Sequence, residues 1–411
     1  MVEFATNNAW LFIGRIAAVG SGAVLTIAFA NLLTPTAFGT YKYVLAMAAL
    51  IGTIALTGMG GSAMRAVAQG HKNIIPRLFW ICFITSIPGA LIAGGIAAYY
   101  FYMGNMVLGS GLAFAALSHL LNGFILQKSL LLGSNEYRTA ALYGIPRSLI
   151  PIAILIGTLL ITDNLIIVLA AYFFGSLLFA YIMYRFALRQ THVDASKGYG
   201  AENDAALKET TRYSFHLSIM GSTSVAAAQL DQLLLWHFVG PAELALYALA
   251  YAPIREIRVL LENFSPMIFT RFATRTKEDL RKTIPFRTRQ MLLVSALITV
   301  VYIIGAPFLF KTLFPQYMPA IIMSQILAIT LLLNPKSIME NALSAQARTK
   351  IRYVTTGTMI ATRGILSIIL IPLYGLNGAV AALVLAEVGH ALVLGVAYRF
   401  AYARKESTDT V

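Results

Sequence analysis

The stretch "LLTPTAFGTYKY", residues 32–43, has a close counterpart in "FVGPAELALYAL", residues 238–249. Each copy has a Pro, an apolar residue three positions later, a small residue next, and a Tyr six positions after the Pro: Pro35, Phe38, Gly39 and Tyr41, then Pro241, Leu244, Ala245 and Tyr247. The copies lie 206 residues apart in a chain of 411. Taken singly, these residues are explained by a turn and an interfacial Tyr. Their recurrence half a chain apart indicates a duplicated architecture.

The composition predicts an all-α integral membrane protein. The chain is 58% hydrophobic and 12% charged, whereas soluble domains carry about 25% charged residues. Apolar runs of 18 or more residues recur along the whole length, and each can cross about 30 Å of hydrocarbon as a helix. Alternating strands of a transmembrane barrel are not seen. The single Cys82 excludes an intrachain disulfide and a Cys-based metal site.

The pattern predicts twelve transmembrane helices. They cover approximately residues 10–33, 43–60, 77–99, 106–126, 143–161, 165–184, 215–238, 242–267, 290–310, 320–338, 354–371 and 378–398. The first 14 residues lack Lys and Arg, so the first apolar run is expected to stay as a span and not to be removed as a signal peptide.

The distribution of Lys and Arg predicts that both termini are cytoplasmic. The loops and tail on one side of this plan hold 24 cations, and the loops on the other side hold only Lys42 and Lys311. The N-terminal tail, with Glu3 and no cation, favours the opposite orientation of span 1 locally. The sum over the chain is the stronger signal, because later charges can fix a topology.

Each copy of the opening motif joins an outward-going span to an inward-going one. Six spans per half is an even number, so the halves share an orientation, as in transporters built from parallel repeats with a substrate site between them. We expect a six-helix lobe at residues 1–186, a cytoplasmic linker at 187–213, a second six-helix lobe at 214–398 and a cytoplasmic tail at 399–411. The two lobes are predicted to be related by a pseudo-two-fold axis. The linker is low in apolar residues, which predicts a mobile hinge.

Ionisable residues inside the spans are candidate substrate-binding residues, because each costs about 2.5–3.5 kcal/mol at mid-helix. They are Arg15 in span 1, Asp231 in span 7, Arg255 and Arg258 in span 8, Arg363 in span 11 and Glu387 in span 12. Arg255 and Arg258 are three residues apart and are expected to share a helix face, with Glu256 pointing elsewhere.

Structural explanations stand beside each functional one. Arg15 can extend its side chain to the headgroups, and Asp231 can bond to a neighbouring helix. Arg258 can pair with Glu262, and Lys336 with Glu340, each at i,i+4. Arg363 and Glu387 fall about nine residues into their spans from opposite sides, which predicts a salt bridge near the midplane.

Catalytic motifs are not found in the sequence, and His119, His216 and His390 lack metal-ligand spacing. Outer loops of about ten residues cannot hold a catalytic domain. We therefore expect no enzyme, no metal and no cofactor. Coupling to H⁺ or Na⁺ is left open.

Four segments resemble oligosaccharide flippases, the polysaccharide-transport branch of the multidrug/oligosaccharidyl-lipid/polysaccharide exporter superfamily. They are "LLTPTAFGTYKYVLAMAALI" at 32–51, "QLDQLLLWHFVGPAELALYALAYA" at 229–252, "LSAQARTKIRYV" at 343–354 and "IPLYGLNGAVAALVLAE" at 371–387. Their order and spacing match that family from end to end, with the same twelve-span plan.

The resemblance implies a transporter that flips an undecaprenyl-pyrophosphate-linked sugar repeat unit across the bacterial inner membrane. It further implies alternating access, a central cationic cavity, and a role in O-antigen, capsule or exopolysaccharide assembly. A diphosphate sugar is anionic, and Arg binds phosphate bidentately. The partners expected are this lipid-linked oligosaccharide, membrane lipids and other polysaccharide-assembly proteins, with no nucleic acid and a monomeric state.

Two other classes are weighed against this one. A cation-coupled drug or metabolite antiporter of the related multidrug branch favours buried carboxylates that face a cationic substrate. A membrane polymerase or glycosyltransferase needs a large outer loop, which the pattern lacks. Both signs of charge occur inside the spans, with Arg in slight majority.

Overall fold

The computed structural model of this chain describes residues 19–262, 277–345 and 349–403. Within these ranges, every regular element is helical. The chain forms two compact units, which meet in sequence between Leu233 and Leu234. Arg15 lies outside the described residues.

The first unit contains nine helices within its described part, and the last of them continues past the division. They are α1 Val19–Leu32, α2 Pro35–Gly52, α3 Met59–Ala68, α4 Ile75–Tyr102, α5 Met106–Leu120, α6 Leu126–Gly133, α7 Tyr137–Ile161, α8 Leu165–Gln190 and α9 Ala201–Phe238. Short 3₁₀ turns precede α4, α6 and α9.

The second unit continues with five further helices among its described residues. They are α10 Pro241–Glu262, α11 Lys277–Leu313, α12 Ala320–Ala328, α13 Lys336–Ala345 and α14 Thr349–Ala403. Helix α14 is broken at Gly375, whose φ of 56° and ψ of −129° are not helical. A Cβ at Gly378 would clash with the carbonyl oxygen of Leu370, so the chain turns sharply between the predicted spans 354–371 and 378–398.

Length and hydropathy identify five described helices that can cross a membrane, at Lys72–Tyr102, Tyr137–Ile161, Leu165–Gln190, Thr283–Leu313 and Val354–Phe400. Two bent helix pairs bring the number to seven, with bends of 58° between α5 and α6 and 41° between α12 and α13. The protein is therefore a helical multi-pass membrane protein. The count of twelve spans and the orientation of the termini remain predictions.

Both copies of the opening motif start a helix. Pro35 is the first residue of α2, where Thr34 Oγ1 accepts a hydrogen bond from the Ala37 N–H at 3.3 Å. Pro241 is the first residue of α10 and follows Gly240, whose φ is 125°. Proline suits this position because its missing N–H has no intrahelical partner there.

The two motif tyrosines are buried, so their interpretation as interfacial anchors is wrong. Tyr41 is 2% exposed and Tyr247 is 3% exposed. Tyr41 stacks on Phe29 with ring centroids 4.4 Å apart and meets the Tyr172 ring edge-on. Each motif therefore places a large aromatic ring in the core one to two turns into its helix.

Predicted span 2, residues 43–60, is not one helix. It straddles the end of α2 and the start of α3, with a non-helical stretch at 53–58. Two serines of α9 bond the freed backbone: Ser222 Oγ donates to the Thr53 carbonyl at 2.7 Å, and Ser218 Oγ accepts from the Gly58 N–H at 2.9 Å. Helix breaks are tolerated in membranes where neighbouring helices provide such partners.

The predicted linker, residues 187–213, is partly helical and has polar contacts with the start of α4. Residues 201–213 are the first part of α9, and the turn before them is fastened to the start of α4. Arg77 Nη1 donates to the Gly198 carbonyl at 2.9 Å and to Asp204 Oδ1 at 2.6 Å, and Asn73 Oδ1 accepts from the Asp194 N–H at 3.0 Å. Polar contacts, which hydropathy does not reveal, hold this segment in place.

Candidate functional site

A buried cluster of three charges in the second unit is centred on Glu387, in the second part of α14. Glu387 is 3% exposed. Its Oε1 accepts a hydrogen bond from Arg258 Nη1 at 2.6 Å, and its Oε2 accepts one from Lys336 Nζ. The side chains of Arg258 and Lys336 are 17% and 16% exposed. Two cationic side chains are thus held largely out of water against one carboxylate.

Three helices that are distant in sequence supply these charges. Arg258 lies on α10, five residues after Pro253, and Lys336 is the first residue of α13. The 41° bend between α12 and α13 immediately precedes Lys336. A cation in the first turn of a helix opposes the helix dipole. The ion pair with Glu387, and not the position in the helix, therefore accounts for the burial of Lys336.

Thr330 fixes the second arm of the Arg258 guanidinium. Arg258 Nη2 donates to Thr330 Oγ1 at 3.0 Å, and Thr330 Oγ1 donates to the Leu327 carbonyl at 2.7 Å. Thr330 is 1% exposed. The planar fork of Arg258 is thereby held between a carboxylate and a hydroxyl.

Neutral hydrogen bonds hold α10 two turns before Arg258. Ser324 Oγ donates to the Ala250 carbonyl at 2.7 Å, and it shares a 2.5 Å hydrogen bond with the hydroxyl of Tyr302. Ser324 is fully buried. These contacts join α10, α11 and α12, so the helix that carries Arg258 is fixed on two neighbours.

A second titratable pair lies one helical turn beyond Glu387. His390 is 6% exposed, and its Nε2 is 3.7 Å from Glu340 Oε1. Glu340 belongs to the same helix as Lys336. Two successive polar contacts, Lys336 to Glu387 and Glu340 to His390, therefore join α13 to the second part of α14.

The central cluster contains two cationic side chains, Arg258 and Lys336, and one carboxylate, Glu387. Arg258 has a further interaction besides these contacts, and Glu340 lies one helical turn from Lys336. Arg and Lys side chains are the usual partners of phosphate groups. The cluster therefore holds two groups that are chemically suited to bind an anion.

The predicted pair between Arg363 and Glu387 is wrong. Both carboxylate oxygens of Glu387 are engaged by Arg258 and Lys336. Arg363 is half-buried in the first part of α14 and has contacts of its own. Span depth predicts only the height of a residue in the bilayer, and two residues at one height can face different neighbours.

The structure also corrects the expected pairing of Lys336 with Glu340, since Lys336 binds Glu387 and Glu340 faces His390. The prediction took residues 320–338 as one continuous helix. The bend after Asn334 and Pro335 instead makes Lys336 the start of a new helix. The "NP" pair in the sequence is the signal that could have revealed this.

Arg255 and Arg258 do not have the same surroundings. The Arg255 side chain is 50% exposed, and its Nη2 donates to Glu256 Oε1 at 2.7 Å. The expectation that Glu256 points elsewhere is therefore wrong. Asp231 is fully buried on α9 in the first unit and has contacts of its own there or elsewhere.

The fold is similar to that of known transporters. An inward-facing multidrug resistance MATE family transporter of the MOP superfamily matches with a TM-score of 0.66 at 15% identity, over 98% of this chain and 96% of that one. The lipid II flippase MurJ, in an inward closed conformation, matches with a TM-score of 0.67 at 13% identity, over 97% and 88%. A MOP superfamily transporter from Pyrococcus furiosus gives 0.62 at 14% identity, over 97% and 95%. Identities this low establish the fold alone, and that fold is the one of helical multi-pass membrane proteins.

The family follows from the sequence match. A family model described as polysaccharide biosynthesis protein matches residues 4–265, more than half of the 411 residues. The chain belongs to this family. No curated protein sequence matches the chain.

Proposed function

We propose that this protein flips an undecaprenyl-pyrophosphate-linked oligosaccharide repeat unit across the bacterial inner membrane by alternating access. The flipped repeat units are then used for O-antigen, capsule or exopolysaccharide synthesis. Family membership over residues 4–265 supports the link to polysaccharides. The MATE transporter, MurJ and the Pyrococcus furiosus transporter have the same fold, which supports a transport mechanism.

The observation that carries the proposal is the pair of buried cations, Arg258 and Lys336, that meet at Glu387. A pyrophosphate brings negative charge to two cationic side chains that are held close together. Charge-assisted hydrogen bonds to phosphate are about twice as strong as neutral ones. Arg258 and Lys336 are the proposed ligands of the pyrophosphate, with Arg363, Arg255 and Arg15 as further cationic candidates. Asp231 and Glu387 are candidate contacts for other parts of the substrate.

The proposed architecture has twelve spans in two six-helix lobes, with a linker at 187–213, a tail at 399–411 and both termini in the cytoplasm. The division of 24 cations against two supports the orientation. The bends support the repeat, because each lies at or next to a Leu-Leu-Asn tripeptide, at 120–122 and at 332–334. The proposed state is a monomer. Coupling to H⁺ or Na⁺ is the proposed energy source.

A cation-coupled antiporter is the less favoured alternative. Such a transporter needs a buried carboxylate that is available to a cationic substrate. Both oxygens of Glu387 are already occupied by cations, and the fully buried Asp231 has contacts of its own. The described carboxylates in the spans therefore favour an anionic substrate.

The test uses a strain whose own copy of the gene is deleted. We expect the deletion to abolish surface polysaccharide and to accumulate the lipid-linked repeat unit on the cytoplasmic side, and the wild-type gene to restore both. Lys336→Gln is expected to restore little polysaccharide at a normal membrane level. Lys311→Gln, an exposed cation on α11, is the matched control. Normal polysaccharide in the deletion strain, with retention of a cationic dye, would favour the antiporter instead.

A further inference from the structure

A groove of about 500 Å³ lies between α4 and the first part of α9, within the first unit. Its apolar wall includes Ile81, Leu207 and Phe215, and its polar rim includes Lys208, Arg212 and Asp204. Helix α4 is among the helices that can cross a membrane. The groove therefore lies where a spanning helix meets the polar start of α9.

The rim of the groove has two cations and no available carboxylate. Lys208 and Arg212 are exposed and one helical turn apart, and neither forms an ion pair within the described part of the chain. Asp204 accepts a hydrogen bond from Arg77 at 2.6 Å. The carboxylate that lines the groove is thus already paired with Arg77, and the two cations at i,i+4 have no carboxylate partner among the described residues.

The apolar side of the groove is exposed as well. Phe215 is 58% exposed and lies one turn after Thr211, which also lines the groove. Next to Ile81 on α4, the side chain of Trp80 is 61% exposed, and that of Ile84 is 60% exposed. Exposed aromatic and aliphatic groups beside cations are typical of the membrane interface, where apolar parts contact acyl chains.

We propose that this groove binds one anionic phospholipid of the cytoplasmic leaflet. Lys208 and Arg212 hold its phosphate, and Ile81 and Phe215 contact the upper part of an acyl chain. The charge complementarity carries this assignment, because anionic lipids concentrate at the cytoplasmic surface and a nearby cation contributes roughly fivefold in affinity. The site is separate from the Glu387 cluster in residues and in chemistry, and its test does not depend on the transported substrate.

The experiment measures lipid binding to the full-length protein by native mass spectrometry from detergent micelles. The probes are short-chain phosphatidylglycerol and phosphatidylcholine. We expect the wild type to retain phosphatidylglycerol preferentially and the double variant Lys208→Gln/Arg212→Gln to lose tenfold or more of that preference. The matched control, Arg138→Gln/Lys197→Gln, removes the same charge from exposed positions elsewhere and should keep the preference.

Two further arms identify the ligand. Phe215→Ser should weaken phosphatidylglycerol binding several-fold, because it removes the acyl-chain contact and keeps both cations. Inorganic phosphate at millimolar concentration should compete poorly with the lipid. The proposal is overturned if the groove variant and the control lose lipid equally, if neither loses it, or if phosphate alone displaces the lipid from the wild type.

Discussion

Glu387 accepts a hydrogen bond from Arg258 at 2.6 Å across 129 residues of sequence, while its other oxygen binds Lys336. One carboxylate thus compensates two cations from different helices. The three groups are not equivalent, since removal of either cation leaves the other ion pair in place. Removal of the carboxylate takes a charged partner from both cations at once.

This asymmetry predicts an order of stabilities. Glu387→Gln should lower the free energy of unfolding by about 3–5 kcal/mol, the usual cost of an uncompensated buried charge. Arg258→Gln should cost less, roughly 1.5–3 kcal/mol, for the loss of hydrogen bonds to a charged partner. Melting temperatures of the purified variants in one detergent give the order. A Glu387→Gln protein that melts at or above Arg258→Gln would contradict the charge balance of the cluster.

A second comparison separates Arg258 from Arg255. Arg255 is half-exposed and pairs with its neighbour Glu256, and exposed ion pairs contribute only about 0–1 kcal/mol. Arg255→Gln should therefore melt close to the wild type, whereas Arg258→Gln should melt lower. Equal losses from the two substitutions would show that the arginines act as one unit, as their spacing in sequence suggested.

The sequence predicted much of the helical plan because a bilayer leaves an apolar segment few alternatives to a helix. It also predicted two separate spans, 354–371 and 378–398, on either side of the break at Gly375, and it identified Arg258 and Glu387 as ionisable residues within the spans. The partners of those charges were not predictable in the same way. Residues three apart on a helix differ by about 60° in direction, which suffices to expose Arg255 and enclose Arg258.

The breaks within predicted spans were missed for a related reason. Residues 53–58 are largely apolar, and a hydropathy window does not distinguish an apolar helix from an apolar break. The break is held by hydrogen bonds to Ser218 and Ser222 on α9, more than 150 residues later in the chain. Contacts of that range are absent from any local pattern.

The break between α2 and α3 leads to a test on two nearby glycines. A Cβ at Gly58 would lie 2.5 Å from Leu217 Cβ and 2.7 Å from the Ser214 carbonyl oxygen. At Gly60, the nearest atom is Ser129 Oγ at 3.5 Å. Gly58→Ala should cost about 1–3 kcal/mol because α3 and α9 are forced apart, and Gly60→Ala should be close to neutral. The melting temperatures of the two variants provide the measurement, and similar values would refute the close approach at Gly58.

The ordered segment before α9 predicts protection from protease. Lys197 has a side chain that is 74% exposed, but its backbone belongs to the turn that Arg77 fastens. Arg77→Gln should increase the rate of tryptic cleavage after Lys197 roughly tenfold, as expected when hydrogen bonds from a charged group are lost. Arg185→Gln serves as the control and should leave the rate unchanged. Rapid cleavage of the wild type would restore the view of 187–213 as a mobile linker.

The topology can be tested with reporters fused at three turns. Gly104 lies between α4 and α5, Leu376 follows the break in α14, and Lys197 precedes α9. In the twelve-span plan, reporters after Gly104 and Leu376 lie outside and one after Lys197 lies in the cytoplasm. A reporter after Asp163, between α7 and α8, is a further outside position. The fusion at Leu376 is the most informative of the four, because Val354–Phe400 is one continuous apolar segment of 47 residues. If this segment crosses the membrane twice, the reporter at Leu376 lies outside. A cytoplasmic signal there would change the number of spans in the second half.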